Sequence, residues 1–159
     1  LGNMTEAILG QSNVTTLIYR PIQPIATVKR HLVVVPARAE KEVGFPMWVN
    51  KVWNIIHNSG AKAVFYASED TMVYLKEMYK KRPIEAEFSS FDDWDDFLIM
   101  SREIKSDDTL WVVMSRRERL SYHANMSRIP NYLNKYFQSN SFVLVYPIQA
   151  GETNNRYLV

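Results

Sequence analysis

Four arginines in one short stretch are the residues of this chain best suited to binding a charged ligand. They are Arg116, Arg117, Arg119 and Arg128, with Ser115 and Ser121 close by. Guanidinium groups bind a phosphate or an acidic lipid head through charge and through paired hydrogen bonds. The alternative is a solvated loop, in which loose ion pairs contribute little free energy. The spacing is compatible with both, and the solvated loop is the simpler interpretation.

A cluster of aspartates favours a structural explanation over a metal site. Its members are Asp92, Asp93, Asp95 and Asp96. They precede an apolar stripe, and acidic residues in the first turn of a helix interact favourably with the helix dipole. We therefore predict a solvated helix start with Asp92 as its cap.

No arrangement of residues in the sequence predicts a catalytic centre. The histidines His31, His57 and His123 show no mutual ligand spacing, and the chain has no cysteine. The Gly-x-Ser-x-Gly turn that presents a nucleophilic serine is also missing from the sequence. We therefore expect neither an enzyme nor a metal site.

Composition and charge exclude further functional classes. The 159 residues carry a net charge of +2, which is too small to favour nucleic-acid binding. No apolar run approaches the roughly 18 residues that a membrane span needs. The length is that of one domain with a further fragment.

Five segments of the sequence predict strands, and amphipathic stretches separate them one by one. The segments are His31–Ala37, Ala61–Ala67, Ile84–Ser89, Thr109–Ser115 and Ser141–Tyr146. This alternation predicts an α/β fold with a five-stranded parallel sheet and helices on both faces. Four segments are nearly continuous apolar runs, typical of strands buried on both sides, whereas the third alternates and predicts an exposed edge. Right-handed crossovers then predict the strand order 3-2-1-4-5.

The intervening stretches predict four helices with apolar stripes at three- and four-residue spacing. The first helix begins at Phe45 and ends at Ser59-Gly60, and Ser68 caps the second. The fourth begins near Arg128. For the third helix we expect the stripe Trp94, Phe97, Leu98 and Ile104. Aromatic residues on these stripes are expected in the core, namely Trp48, Trp94, Tyr132, Tyr136 and Phe137.

The first 30 residues stand outside this alternation and are similar to its last part. Asn3 and Glu6 form a capping box before an apolar turn, and Val14–Arg20 predicts a strand. Asn3–Pro21 aligns with Arg128–Pro147, since each has a helical pattern, a Gln-Ser-Asn turn and an apolar strand that ends near Tyr and Pro. We interpret this as an internal repeat. The predicted divisions are 1–22, the end of a preceding repeat; 23–30, a linker; 31–147, the main domain; and 148–159, a polar tail.

The pattern over residues 31–147 resembles the universal stress protein family, whose fold binds adenine nucleotides. In that family a loop after the fourth strand carries Gly, two residues, Gly, nine residues, then Gly with Ser or Thr, and its backbone amides hold the phosphates. Here Met114, Arg117 and Ser127 stand at the glycine positions and Arg128 at the hydroxyl position. Pro36 replaces the acidic residue near the adenine. The resemblance therefore implies a degenerate loop without a cofactor, and ATP or AMP only in a preceding repeat.

The segment Gln11–Pro21 also resembles the tandem stress-protein-like tails of bacterial monovalent cation/proton antiporters. This resemblance implies a non-catalytic regulatory or assembly domain on the cytoplasmic side of the bacterial inner membrane. Its expected partners are the transmembrane antiporter domain of the same polypeptide, a sibling repeat and a second copy in a homodimer. The alternative is a free-standing tandem universal stress protein that binds adenine nucleotide.

The fifth predicted strand lies at a sheet edge, and folded proteins usually cover such edges. We predict that Val14–Arg20 pairs with it in antiparallel direction, within one chain or between two. The residues of this partner edge are Val14, Leu17, Tyr19, Phe142, Leu144 and Tyr146.

Overall fold

The computed structural model describes residues 15–115 and 121–148, which form one sheet with helices on both faces. The strands are β1 (Thr16–Arg20), β2 (Arg30–Val34), β3 (Lys62–Ala67), β4 (Ala86–Ser90), β5 (Asp108–Val113) and β6 (Ser141–Tyr146). The α-helices are α1 (Phe45–Ser59), α2 (Glu69–Lys81) and α3 (Ile129–Tyr136). Shorter 3-10 helices span Ile25–Thr27, Ala39–Lys41, Trp94–Arg102 and Ala124–Arg128.

The fold class is α/β, as predicted. The sheet, however, is not the five-stranded, all-parallel sheet that the sequence predicted. The sheet is mixed and has six strands in the order β1-β6-β5-β2-β3-β4. Strands β2 to β6 pair in parallel, whereas β1 is antiparallel to β6. The additional strand is β1, which lies within the predicted Val14–Arg20 segment and covers the edge that β6 would otherwise expose. Its predicted antiparallel pairing is confirmed, and both strands belong to one chain.

Helix α1 follows from its apolar stripe and from the residues at its ends. Its buried side chains include Trp48, Val52 and Ile56, four residues apart on one face. Gly60 ends the helix in the left-handed region, with φ of 72°, which side chains with a Cβ rarely adopt. Helix α2 begins as predicted, because the Ser68 hydroxyl accepts a hydrogen bond from the amide of Thr71.

The free energy of unfolding of the Gly60→Ala variant is expected to be about 1 kcal/mol lower than that of the natural chain, because alanine is strained at this positive φ. Nothing lies within 4 Å of an added Cβ, so the loss reports backbone strain alone. Urea unfolding followed by tryptophan fluorescence measures it. The control is Asn58→Ala, two residues earlier and still inside the helix, which should change stability by less than about 0.5 kcal/mol. Equal stability of the two variants would contradict this account of the helix end.

The prediction of a third α-helix is wrong, because Trp94–Arg102 forms a 3-10 helix. Phe91, Trp94, Phe97 and Met100 are all buried, and they recur every third residue. This spacing matches the three residues per turn of a 3-10 helix, in which residues i and i+3 lie above one another. Leu98 and Ile104, which we placed on the stripe, are only half-buried.

Two apolar cores lie on opposite faces of the sheet. Helices α1 and α2 cover one face, and the two longer 3-10 helices with α3 cover the other. Trp48, Trp94 and Phe137 are buried as predicted, whereas Tyr132 is half-buried and Tyr136 is exposed. Among the described residues, no helix combines the length and the apolar content needed to cross a membrane.

Candidate functional site

The carboxyl ends of the parallel strands form the edge at which sheets of this type usually bind a ligand. The chain leaves β2 through Pro36 and turns sharply at Arg38, whose φ of 68° lies in the left-handed region. The 3-10 helix Ala39–Lys41 follows directly. This turn places two carboxylates, those of Glu40 and Glu42, beside the loops that follow β3 and β5.

Glu42 connects the loop after β2 with the loop after β5. Its Oε1 accepts a hydrogen bond from the Ser115 hydroxyl at 3.0 Å and one from the Ser121 amide at 3.3 Å. These two donors flank residues 116–120, so one carboxylate is bonded at both ends of that stretch. A carboxylate that accepts such bonds occupies donors that a bound phosphate would otherwise use.

Glu40 makes the corresponding connection to the loop after β3. Its Oε2 accepts a hydrogen bond from the Thr71 hydroxyl at 2.7 Å, and the Thr71 side chain is fully buried. The Thr71 hydroxyl also lies 3.0 Å from the Ser68 hydroxyl that caps α2. The start of α2 is thereby bonded to a carboxylate of the same chain.

Replacing Glu42 with glutamine is expected to lower the free energy of unfolding by about 1 kcal/mol, because hydrogen bonds to an ionised acceptor are stronger than those to a neutral amide oxygen. Chemical unfolding at pH 7 measures the loss. The matched control is Glu85→Gln, at an exposed position, which should be neutral within about 0.5 kcal/mol. A Glu42→Gln chain as stable as the control would contradict the proposed bonding.

A close backbone approach shapes the same edge where α1 begins. A Cβ on Gly44 would lie 2.6 Å from the backbone oxygen of Ile148 and 2.8 Å from its nitrogen. Only glycine fits there without movement of the backbone. The segment after β6 therefore packs directly against the turn that carries Glu42.

The structure describes two of the residues at the three glycine positions of the degenerate loop, and their surroundings differ. Met114 is buried in the core beneath α3, and its amide donates to the backbone oxygen of Val145 at 2.8 Å. Ser127 is exposed and its hydroxyl donates to the backbone oxygen of Ala124. Arg117 lies outside the described residues. Pro36 is buried at the end of β2.

The structure describes one of the four arginines that we considered for anion contact. Arg128 is exposed at the start of α3. Arg116, Arg117 and Arg119 lie outside the described residues, so their contact with an anion stays a prediction.

At the opposite, amino-terminal edge of the sheet, Arg30 and Asp108 form an ion pair. The Arg30 side chain donates to both carboxylate oxygens of Asp108, at 3.1 and 2.6 Å, and the amide of Lys105 donates to Oδ2 at 2.8 Å. The Asp108 side chain is almost fully buried. The hydrogen bond to Asp108 raises the pKa of the Arg30 guanidinium above its usual value. Asn140 extends this cluster by donating to the backbone oxygens of Lys105 and Asp108.

His31, on β2, is fully buried in a hydrogen-bonded network of its own. The indole of Trp111 donates to its Nδ1 at 2.9 Å, and its Nε2 lies 3.0 Å from the Ser59 hydroxyl. Because an indole only donates, Nδ1 must accept, and the neutral ring carries its proton on Nε2. The Ser59 hydroxyl donates onward to the backbone oxygen of Ile56. Burial lowers the pKa of His31 to about 4, although the charge of Asp108 acts in the other direction.

Sequence reasoning missed both polar clusters at the amino-terminal edge. It treated His31 only as a possible metal ligand and gave Asp108 no role. The available signal was the position of each polar residue at the start of a strand that is otherwise apolar. Within the described ranges, no group of three or more His, Cys, Asp or Glu residues could hold a metal ion.

The partner edge is present as a ladder between β1 and β6. Leu17 pairs with Val145, Ile18 with Leu144, and Tyr19 with Val143. Phe142 and Tyr146 lie at the two ends of this ladder, while Val14 is outside the described residues. The predicted edge residues that the structure describes are therefore brought together by strand pairing.

Comparison with known proteins gives no family for this chain. No protein-family model, no curated protein and no solved structure matches it. Its function must therefore be inferred from the residues and their geometry.

Proposed function

We propose that this chain is a non-catalytic regulatory or assembly module with a degenerate nucleotide loop. The observation that carries the proposal is the Glu42 carboxylate, which accepts bonds from Ser115 and from the Ser121 amide after β5. An anion of the protein's own occupies donors at the edge where a nucleotide phosphate would need them. Like charges repel, so this arrangement disfavours a triphosphate.

We further propose that the module belongs to a monovalent cation/proton antiporter and acts at the cytoplasmic face of the membrane. The support is the similarity of Gln11–Pro21 to the tails of such antiporters, together with the antiparallel pairing of β1, which lies within that segment, with β6. In this proposal the module packs against a sibling repeat and passes the state of a ligand or partner to the transmembrane domain. The transport step itself belongs to that domain.

Calorimetric titration with magnesium ATP tests the first part of the proposal. The expected result is no binding with a Kd below about 1 mM, since the loop lacks the phosphate-binding glycines. A Kd in the micromolar range would favour the alternative, a tandem stress protein that binds adenine nucleotide, and would overturn the degenerate-loop proposal.

Transport measurements on the whole polypeptide test the second part. The coding sequence upstream of Leu1 should contain hydrophobic segments of about 20 residues each. Cation-dependent proton exchange would be measured in inverted vesicles, for the natural polypeptide and for one that lacks residues 31–147. We expect the truncated form to keep exchange activity. The cation concentration that gives half-maximal exchange should nevertheless change by about fivefold or more. An upstream sequence without such segments, or identical exchange in both forms, would contradict the proposal.

A further inference from the structure

A cavity of about 110 Å³ lies between helix α1 and the strands β1, β6 and β5, on the face of the sheet that α1 covers. The apolar side chains that form its walls are those of Leu17, Ile55, Trp111 and Val143. They belong to the core of this face or pack against it. Every residue that lines the cavity is in the described part of the chain, so its shape follows from the sheet and α1 themselves.

The cavity reaches the surface near the 3-10 helix Ile25–Thr27, which follows β1. Tyr19 is 43% exposed and Ile25 is 40% exposed, and both side chains line the cavity. A small molecule from solvent therefore has a route between these two side chains to the buried indole of Trp111.

Thr109, on β5, adds a hydroxyl group to a lining that otherwise consists of aliphatic and aromatic side chains. The residue is 2% exposed, and its Oγ1 has no hydrogen-bond partner within the described ranges. Its neighbours in register are His31 on β2 and Ser141 on β6. Both ring nitrogens of His31 are bonded to other groups, and the Ser141 hydroxyl accepts a bond from the amide of Ile22. A buried hydroxyl without a partner destabilises a fold and calls for an explanation.

The dimensions and chemistry of the cavity suit an organic molecule better than water. Its surface is formed by carbon atoms. The methyl and hydroxyl groups of threonine are similar in size, so a rotation of Thr109 about its Cα–Cβ bond brings the hydroxyl to that surface. A buried water needs about two to four polar partners, and here it would find only this hydroxyl. Apolar cavities of similar size, about 150 Å³, stay dry and bind benzene.

We propose that this cavity binds a small uncharged molecule, namely a single aromatic ring that carries one hydroxyl group. The rings of Trp111 and Tyr19 favour an aromatic ligand, because aromatic pairs gain free energy beyond the area that they bury. The ligand hydroxyl would supply the hydrogen-bond partner that Thr109 lacks. No residue of the lining carries a charge, so a charged molecule would lose its hydration without compensation. This inference rests on the proposed regulatory role and specifies the ligand whose state the module passes on.

Calorimetric titration of the 159-residue chain at pH 7 tests the proposal with three probes of similar size: phenol, benzene and benzoate. Phenol should bind with a Kd of about 1 mM or lower. Benzene, which lacks the hydroxyl, should bind about fivefold more weakly. Benzoate, which is charged, should not bind in the same range. No saturable binding of phenol below about 10 mM, or binding of benzoate as tight as that of phenol, would overturn the proposal.

NMR spectra of the indole N–H groups locate the bound ring. Phenol should shift the resonance of Trp111, whose side chain lines the cavity, and should leave that of Trp94 in place. Trp94 is the internal control because it lies in the core on the opposite face of the sheet. The Trp111→Phe variant assigns the resonance by its disappearance. Binding of phenol without a shift of the Trp111 resonance would place the ligand elsewhere and contradict the proposal.

The Thr109→Val variant tests the hydrogen bond, because it replaces the hydroxyl with a methyl group of similar size. It should weaken phenol binding by about fivefold and leave benzene binding unchanged. Without ligand, the variant should be at least as stable in urea as the natural chain, since the unpartnered hydroxyl is gone. An unchanged affinity for phenol, or an equal loss for both ligands, would show that the hydroxyl takes no part in binding and would overturn the proposed ligand class.

A matched pair of tryptophan variants tests the entrance. Ile25→Trp places a larger side chain at the mouth of the cavity and should weaken phenol binding by at least about tenfold. The control is Ile22→Trp, which makes the same change at an exposed residue that does not line the cavity, and it should bind phenol as the natural chain does. Equal affinities of the two variants would contradict entry at Ile25.

The binding result is distinct from the result of the transport measurement. Phenol binding in the cavity without an effect of the module on transport would leave the site and remove the regulatory role. Altered transport without phenol binding would leave the regulatory role and remove this cavity as its ligand site.

Discussion

An Asp108→Asn chain should lose about 3 kcal/mol of unfolding free energy, a large fraction of the roughly 5–15 kcal/mol that stabilises a typical folded domain. The Asp108 side chain is 2% exposed and accepts bonds from Arg30 and from the amide of Lys105. Asparagine keeps one acceptor oxygen but removes the negative charge. The Arg30 guanidinium, which is 25% exposed, is then left beside a neutral group.

Chemical unfolding at pH 7 measures this loss, and the chain supplies a matched control. Glu87 pairs with Lys62 on the surface, where both side chains are partly or largely exposed. The Glu87→Gln variant should therefore differ from the natural chain by less than about 0.5 kcal/mol. If Asp108→Asn were as mild as the control, the ion pair at the amino-terminal edge would have no structural role.

The second large effect is a loss of stability in mild acid that depends on His31. The pKa of a histidine in an unfolded chain is about 6.5, and burial lowers that of His31 to about 4. The folded state therefore holds the neutral ring. The stabilisation that the buried, neutral His31 ring provides is fully present above pH 6.5. It is lost as the pH falls from 6.5 toward 4, because the unfolded chain then binds a proton that the folded state does not. The difference in pKa corresponds to about 3 kcal/mol across that range.

Urea unfolding of the natural chain and of His31→Gln at several pH values between 7.5 and 4 measures this contribution. Glutamine does not titrate, so the difference in stability between the two chains should shrink as the pH falls. Two curves that run parallel across this range would show that His31 does not titrate with a lowered pKa. The Trp111→Phe variant removes the indole that donates to His31 Nδ1. Its free energy of unfolding at the same pH values gives a second measurement of this network.

Strand positions were predictable from the sequence because most of them follow from local hydrophobicity. The continuous apolar runs of β2, β5 and β6 could be buried only between two layers of helices. The alternation in Ile84–Ser89 predicted an edge, and β4 lies at one end of the sheet. The caps Ser68 and Gly60 act through neighbouring residues, so their effect is also local.

The missed features depend on contacts between distant parts of the chain. Nothing near Glu42 in the sequence indicates that Ser115, 73 positions away, donates to it. The network of His31 likewise needs Trp111 from another strand, 80 positions away. The 3-10 helix at Trp94–Arg102 is a different case, because its three-residue spacing is visible in the sequence and was assigned to the longer period of an α-helix.

The antiparallel pair at the edge of the sheet also constrains how the chain folds. Arg20, at the end of β1, bonds to the backbone of Asn140, 120 positions later. During synthesis β1 cannot pair with β6 until nearly all the residues up to β6 have left the ribosome. Contacts between such distant residues slow folding. Until then its apolar residues are available to other chains. A nascent polypeptide of this kind is expected to need chaperone protection at its leading strand until residue 146 emerges.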